Sequence, residues 1–279
     1  MKPVQRRKNG FDAASYARSM QYCAPFIAAY QDHRLLNFFA FDSLRKRVGE
    51  RLVRVTRSLN SAEEAEIELS SYLEYVQSES TSDDKNTHET TNDGFRPWYL
   101  LRASDRSLVR GVDREWLPEF FRFNILNGLP DDSGGSTLYT KDWLFLGPAN
   151  SVSELHFDHH FVHTILVQCE GRKRVRLVDD RDWSALETSG ARANSSEWDG
   201  LEPVPAHLKA FVYECILEKG DFIFIPAGWY HGVLNLSASS TYSYDYVDCT
   251  NVMRWLPEAL TDEVYREFFI QARGGAAPC

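Results

Sequence analysis

The chain has 279 residues and a formal net charge of −9, with 40 Asp and Glu against 31 Lys and Arg. That length suits one sizeable core with decorations. The acidic balance argues against general polynucleotide binding, which needs clustered cations to neutralise phosphates, and no run approaches the roughly 18 apolar residues of a membrane span.

In chain order, residues 1–10 read as a disordered basic tail and 11–31 as a helix. "FDSLRKRVGERLVRVTRS" (41–58) reads as a short helix, a break at Gly49 and an alternating strand around Leu52 to Val55. "SAEEAEIELSSYLEYVQ" (61–77) predicts a helix, with Ser61 and Glu64 as a capping box and Ile67, Leu69, Leu73 and Val76 as its apolar stripe. The polar segment 78–94 reads as a flexible surface loop. From Trp98 the pattern turns to strands: "DWLFLGP", "HTILVQC", "KRVRLV", "FVYECIL", "DFIFIP", "YHGVLNL" and "TYSYDYV" are short, β-branched or aromatic, and separated by turn signals. Such spacing indicates a mainly β protein with flanking helices, its strands forming a barrel or jelly roll. We divide the chain into a helical and strand region over 1–97, a β core over 98–250, and a C-terminal helix and tail over 251–279. In "WLPEALTDEVYREFFIQ" (255–271), Leu256, Leu260, Val264 and Phe268 recur every four residues, fit for packing on the barrel or for a homodimer contact.

Five cysteines without a CxxC pair read as reduced thiols in an intracellular, cytoplasmic protein, the nucleus being also open to it. Cys169 and Cys215 read as buried small hydrophobes. The segment 179–209 carries seven acidic and three basic residues and reads as a long acidic loop that could screen a cationic substrate.

Four of the eight histidines fall in "HFDHHFVH" (156–163). In a strand, residues i and i+2 share a face, so His156 and Asp158 would offer two ligands to one cation. If the strand of "YHGVLNL" meets theirs, His231 completes two imidazoles and one carboxylate, the facial set of non-haem iron sites. Lys173 follows a glycine turn and starts the next strand; pointing inward, it could bind the distal carboxylate of a dicarboxylate. Ser153 and Ser243 offer hydroxyls nearby, Ser243 on a strand whose other face carries Tyr242, Tyr244 and Tyr246. His159, His160 and His163 read as lining the pocket mouth or the surface; the competing helical reading pairs His156 with His160 and His159 with His163. His33, His88 and His207 read as incidental, and Trp229 and Tyr230 as barrel packing.

"LFLGPANSVSELHFD", "LVQCEGRKRVRL" and "EKGDFIFIPAGWYHGVLNLS" together resemble the JmjC-domain oxygenases of the cupin superfamily, in particular the small hydroxylase branch of phosphatidylserine-receptor-like members. The resemblance implies a double-stranded β-helix holding Fe(II), with 2-oxoglutarate and O2 as co-substrates. It implies His156, Asp158 and His231 as iron ligands, and Lys173 as the partner of the 2-oxoglutarate distal carboxylate. Ser153, Ser243 and Thr164 are the hydroxyl candidates for the same co-substrate. Asp245 and Leu166 stand where related members carry asparagine, and Tyr99 is a loose candidate for the tyrosine that many members place on 2-oxoglutarate. The implied reaction is hydroxylation of an unactivated C–H bond, first on a protein or peptide side chain, second on a free amino acid or natural product. Two readings of other classes stand beside it: a non-oxidative metal cupin with Zn or Mn, and an inactive JmjC-like binding module.

Overall fold

The computed structural model describes residues 1–7, 16–17, 20, 23–57, 62–79, 97–100, 106–128, 141–182 and 204–261. Its early strands are β1 (Lys2–Pro3), β2 (Gln5–Arg7), β3 (Phe26–Ala29), β4 (Leu52–Thr56) and β5 (Glu64–Glu68). The barrel strands are β6 (Asp142–Gly147), β7 (Val152–His156), β8 (His163–Glu170), β9 (Lys173–Val178), β10 (Tyr213–Leu217), β11 (Asp221–Ile225), β12 (Tyr230–Asn235) and β13 (Ser239–Tyr246). The helices are α1 (His33–Phe38), α2 (Phe41–Val48), α3 (Leu69–Glu79) and α4 (Val252–Thr261).

Two sheets make the jelly roll. One has the order β1-β10-β9-β12-β7 and the other β2-β3-β11-β8-β13-β6. The barrel strands alternate between two buried environments, which is why they read as almost continuous apolar runs. Leu166, Val175, Leu177, Ile223, Ile225 and Val233 face inward and form the core between the sheets. Ile165, Val167, Phe222, Phe224, Tyr242 and Tyr244 face outward and pack under α1, α2 and α3 with Leu35, Leu44, Leu69 and Leu73.

Three expectations for the N-terminal region are corrected. Residues 2–3 and 5–7 are strands, not a disordered tail: β1 pairs in parallel with β10 and β2 with β3. This short segment thus adds a strand to each sheet, and Arg6 closes it with a two-pronged ion pair to buried Asp221. Within 11–31, Tyr16, Ala17 and Met20 are helical, but residues 26–29 form β3, paired antiparallel with β11; the β-branched and aromatic FIAA stretch completes a sheet. The expected helix over 61–77 starts only at Leu69. Before it, "EAEIE" alternates with period two and pairs with β4, setting Ile67 against Val53 and Ala65 against Val55 while Arg54 reaches Glu64 and Glu66. Ser61 and loop residues 80–94 lie outside the described residues.

Between Trp98 and β6 the described chain forms isolated bridges at Tyr99 and Leu100 and short 3-10 turns over 106–128, not regular strands. Helix α4 lays Trp255, Leu256 and Ala259 against Leu126, Val162 and Val247. Val264, Phe268 and residues 183–203 of the acidic segment lie outside the described residues. No helix among the described residues is long and apolar enough to cross a membrane.

Candidate active site

Strand β7 ends at His156, directly opposite His231 of β12. The two imidazole rings lie 4.3 Å apart, centre to centre. Asp158 does not share a strand with His156, as the i, i+2 argument assumed; it stands two residues beyond the strand end, before a 3-10 turn over His159–Phe161. The turn swings its carboxylate back to the rings, with Oδ1 4.0 Å from His156 Nε2 and Oδ2 3.8 Å from His231 Nε2. The three donors lie within 4.8 Å of one another. Metal bonds of about 2.1 Å bridge donor pairs up to about 4.2 Å apart, so a small side-chain rotation seats one cation among them.

The surroundings fit a cation as well. His156 Nδ1 donates to the Glu154 carbonyl at 2.6 Å and His231 Nδ1 to the Trp229 carbonyl at 3.2 Å. Those bonds put the proton on Nδ1 of each ring and leave both Nε2 lone pairs turned to Asp158, the arrangement that ligating imidazoles require. Thr164 Oγ1 donates to Asp158 Oδ2 and steers the carboxylate.

The turns that carry Asp158 and His231 are both conformationally demanding. His160 and Phe161 have φ of 59° and 51°, and left-handed backbone at a bulky residue such as Phe161 costs on the order of 1–3 kcal/mol. Asn251 Nδ2 holds the Phe161 carbonyl at 3.0 Å. The turn before His231 has Gly228 at φ 84°, and the Ala227 amide donates to His163 Nδ1 at 2.8 Å. This corrects the expectation for His163. It is buried at the start of β8, neither lining the cavity nor on a solvated surface, and it pins the turn that presents His231. Burial pushes its pKa down to about 4, with Asp248 opposing and Arg254 adding to the shift. The helical pairing of these histidines is likewise overturned: a single 3-10 turn and then a strand occupy the segment.

The three donors line one cavity inside the barrel. Lys173, Ser153, Ser243 and Thr164 all line it, as do Tyr99, Leu166 and Asp245. Lys173 is 2% exposed. Its Nζ donates to Tyr99 Oη at 3.2 Å and sits 5.7 Å from the ring centres of both Tyr99 and Phe145. No carboxylate among the described residues forms an ion pair with it, and burial pushes its pKa down to about 7. A buried amine over two aromatic rings, without an acidic partner among the described residues, has the chemistry to receive an anion. Burial also raises the Tyr99 phenol, which keeps it protonated as a donor.

Trp143, Phe145, Val233 and Thr241 complete the walls and were not singled out in the sequence. Period two along "DWLFL" and "TYSYDY" contained the signal: Trp143 and Phe145 share one face of β6, and Thr241, Ser243 and Asp245 one face of β13. Trp143 Nε1 donates to Asp245 Oδ2 at 3.0 Å. Cys169 and Cys215 are buried, and burial raises both thiols to about 12.

A jelly roll that opens a lysine-floored cavity onto two histidines and an aspartate is the architecture of the JmjC-type cupins. The sequence matches the cupin-like domain family over residues 25–257, and the chain belongs to that family. It is similar to lysine-specific demethylase JMJ30 of Arabidopsis thaliana, at 32% identity over 147 residues, covering 48% of this chain and 34% of that protein. It is 40% identical over 82 residues to tRNA wybutosine-synthesizing protein 5 of Gallus gallus, covering 29% and 25%. Against arginine-specific demethylase JMJ22 of Arabidopsis thaliana it is 25% identical over 180 residues, covering 58% and 33%. The chain thus spans about a quarter to a third of the length of these relatives. Iron and 2-oxoglutarate are typical of the family.

Proposed function

We propose that the chain is an Fe(II)- and 2-oxoglutarate-dependent oxygenase that hydroxylates an unactivated C–H bond of a protein or peptide side chain. One observation carries the reading: three donors spaced to hold a metal and a buried amine without a carboxylate partner among the described residues line the same cavity. His156, Asp158 and His231 would hold the iron on one face. When bound, iron with 2-oxoglutarate and O2 supplies oxidative decarboxylation to succinate and CO2, coupled to insertion of one oxygen atom into a C–H bond.

The protein's own part is binding, orientation and exclusion of water. Lys173 would receive the distal carboxylate, which raises its proton affinity and restores the full ammonium. Tyr99, beside Lys173 Nζ, and the hydroxyls of Ser153 and Ser243 would fix the bound dicarboxylate's rotation, while Leu166, Val233 and Phe145 keep its middle dry. Thr164 acts on the metal side, through Asp158. Asp245 and Trp143 offer a carboxylate and an aromatic wall to a cationic group. The net charge of −9 supports a protein or peptide substrate over a polynucleotide.

The test is to add Fe(II) and then 2-oxoglutarate anaerobically to metal-free protein. The reading expects a weak visible charge-transfer band of the chelate that is lost in His231→Ala and weakened in Lys173→Ala. Tight zinc or manganese binding without such a band would instead establish a non-oxidative metal cupin. An absence of metal binding would leave a binding module.

A further inference from the structure

Asp158 and His231 come from turns far apart in sequence, and one side chain outside the cavity touches both turns. Arg254, on the first turn of α4, places its guanidinium 4.2 Å from the ring centre of Phe161. Phe161 is one of the two left-handed residues of the turn that follows Asp158. The same guanidinium donates through Nη1 to the Ala227 carbonyl at 3.4 Å, four residues before His231. Its Nη2 donates to Asp180 Oδ2 at 2.7 Å, just beyond the end of β9, the strand paired with β12. The planar fork thus joins three segments, a task that a single-point ammonium performs only in part.

Gly228 shows how close this packing is. A Cβ there would lie 2.7 Å from Asp180 Oδ2 and 2.9 Å and 3.1 Å from the two terminal guanidinium nitrogens. Glycine at 228 therefore serves two needs, the positive φ and the room for the Arg254–Asp180 pair. Asn251, on the same approach to α4, holds the Phe161 carbonyl.

We infer that Arg254 is a positioning residue that fixes the Asp158 turn against the His231 turn, so that α4 sets the spacing of the metal ligands from outside the barrel. This inference rests on the reading of His156, Asp158 and His231 as metal ligands. Arg254 touches no ligand atom itself. Its effect passes through the Phe161 ring and the Ala227 carbonyl. Outer residues that orient ligands change metal affinity by roughly 10–100-fold when lost.

The experiment uses Co(II) alone, titrated into the metal-free protein and followed by its visible d–d bands, with thermal unfolding measured on the same samples. Arg254→Ala is expected to weaken Co(II) binding about tenfold or more and to alter the band pattern, with little change in the unfolding temperature of the metal-free protein. Gly228→Ala is expected to reproduce the loss, because the new methyl displaces the guanidinium. Arg254→Lys should recover part of the affinity, since it keeps a cation beside Asp180 and Phe161. Arg172→Ala, which removes the exposed pair with Glu218, should bind Co(II) as the wild type does. Wild-type-like affinity and bands in both Arg254→Ala and Gly228→Ala would overturn the inference. So would a loss of affinity matched by a general drop in stability and not relieved by lysine. Failure of the wild type itself to bind Co(II) would overturn the metal-site reading, and this inference with it.

Discussion

Replacing Lys173 by methionine should strengthen the fold and weaken co-substrate binding, two effects of opposite sign from one substitution. The side chain is buried, and its pKa is pushed from 10.5 down to about 7 by loss of solvent. Between pH 7 and 10.5 the unfolded chain keeps a proton that the folded chain has shed, so folding stability rises with pH across that window. At pH 7.5, three units below the unfolded value, burial of this group costs roughly 4 kcal/mol at about 1.36 kcal/mol per unit. Methionine fills a similar volume without the charge. It forfeits the hydrogen bond to Tyr99, about 1 kcal/mol, leaving a net gain of about 3 kcal/mol. In the complex the order reverses: removing one partner of a buried ion pair costs about 3–5 kcal/mol, a loss of at least 10²-fold in 2-oxoglutarate affinity. Urea denaturation of metal-free wild type and Lys173→Met at pH 7.5 and pH 10 measures the first effect, and the stability gap should close at the higher pH. Anaerobic titration of the Fe(II) proteins with 2-oxoglutarate measures the second, and wild-type affinity should weaken as pH rises above 7. A variant that is destabilised at pH 7.5 yet retains 2-oxoglutarate would refute the reasoning on both counts.

Acid should act through His163, whose folded pKa of about 4 lies below its usual 6.5. As pH falls from 6.5 to 4 the unfolded chain takes up a proton that the buried ring refuses, and stability drops by up to about 3 kcal/mol. In His163→Asn, urea midpoints between pH 7 and 4 should fall less steeply; an unchanged slope would rule the histidine out. Deleting residues 1–7 should lower stability by at least ~2 kcal/mol, since β10 and β3 each lose a strand partner, whereas Arg6→Ala alone should cost no more than about 1 kcal/mol because Arg6 is half exposed. Equal effects of the two changes in thermal unfolding would contradict that assignment. Gly147→Ala would set a methyl 2.6 Å from both Ser151 Oγ and a ring carbon of Tyr99, and overpacking of this kind costs about 1–3 kcal/mol. It should also weaken 2-oxoglutarate binding by moving Tyr99 from Lys173, and unaltered binding in a destabilised variant would separate Tyr99 from the co-substrate.

The barrel was legible in the sequence because its strands are buried on both faces and bounded by turn residues. The run "TYSYDY" announced Tyr242, Tyr244 and Tyr246 on one side and Ser243 on the other, and the structure keeps that division. The N-terminal region was misread for a physical reason. "EAEIE" carries good helix formers, and its strand state is decided by pairing with β4, which ends eight residues upstream, over its own propensity. Lys2 to Arg7 looked like a tail because edge strands of two and three residues have no periodicity to detect. His156, Asp158 and His231 were expected to meet, and the structure brings them together by a different geometry. Asp158 reaches the histidines through a left-handed turn held by Asn251 and packed under Arg254, contacts separated from it by more than ninety residues.

Register is what converts these strands into a graded cavity. On β13 and β8, Asp245 opposes Thr164, Ser243 opposes Leu166 and Thr241 opposes Gln168. On β12 and β9, His231 opposes Leu177, Val233 opposes Val175 and Asn235 opposes Lys173. From His231, of the proposed metal set, to Asn235, level with Lys173, is four residues, about 13 Å of strand. That is too long for a five-carbon diacid alone, and in the proposed complex the four-carbon stem of Lys173 would supply the remainder. The irregularity at Ser240 and Thr241, where β13 passes Cys169 without pairing, keeps Thr241 and Gln168 in step at the lysine end. A one-residue slip of β13 would turn Tyr242 and Tyr244 into the cavity and expel Ser243 and Asp245. The tyrosines prevent it, because Tyr242 is tied to Asp142 and stacked on Phe39 on the outer face. The aromatic packing outside the barrel therefore holds the polar groups inside it at their depths, and the chemistry of the cavity depends on contacts that none of its ligands would touch.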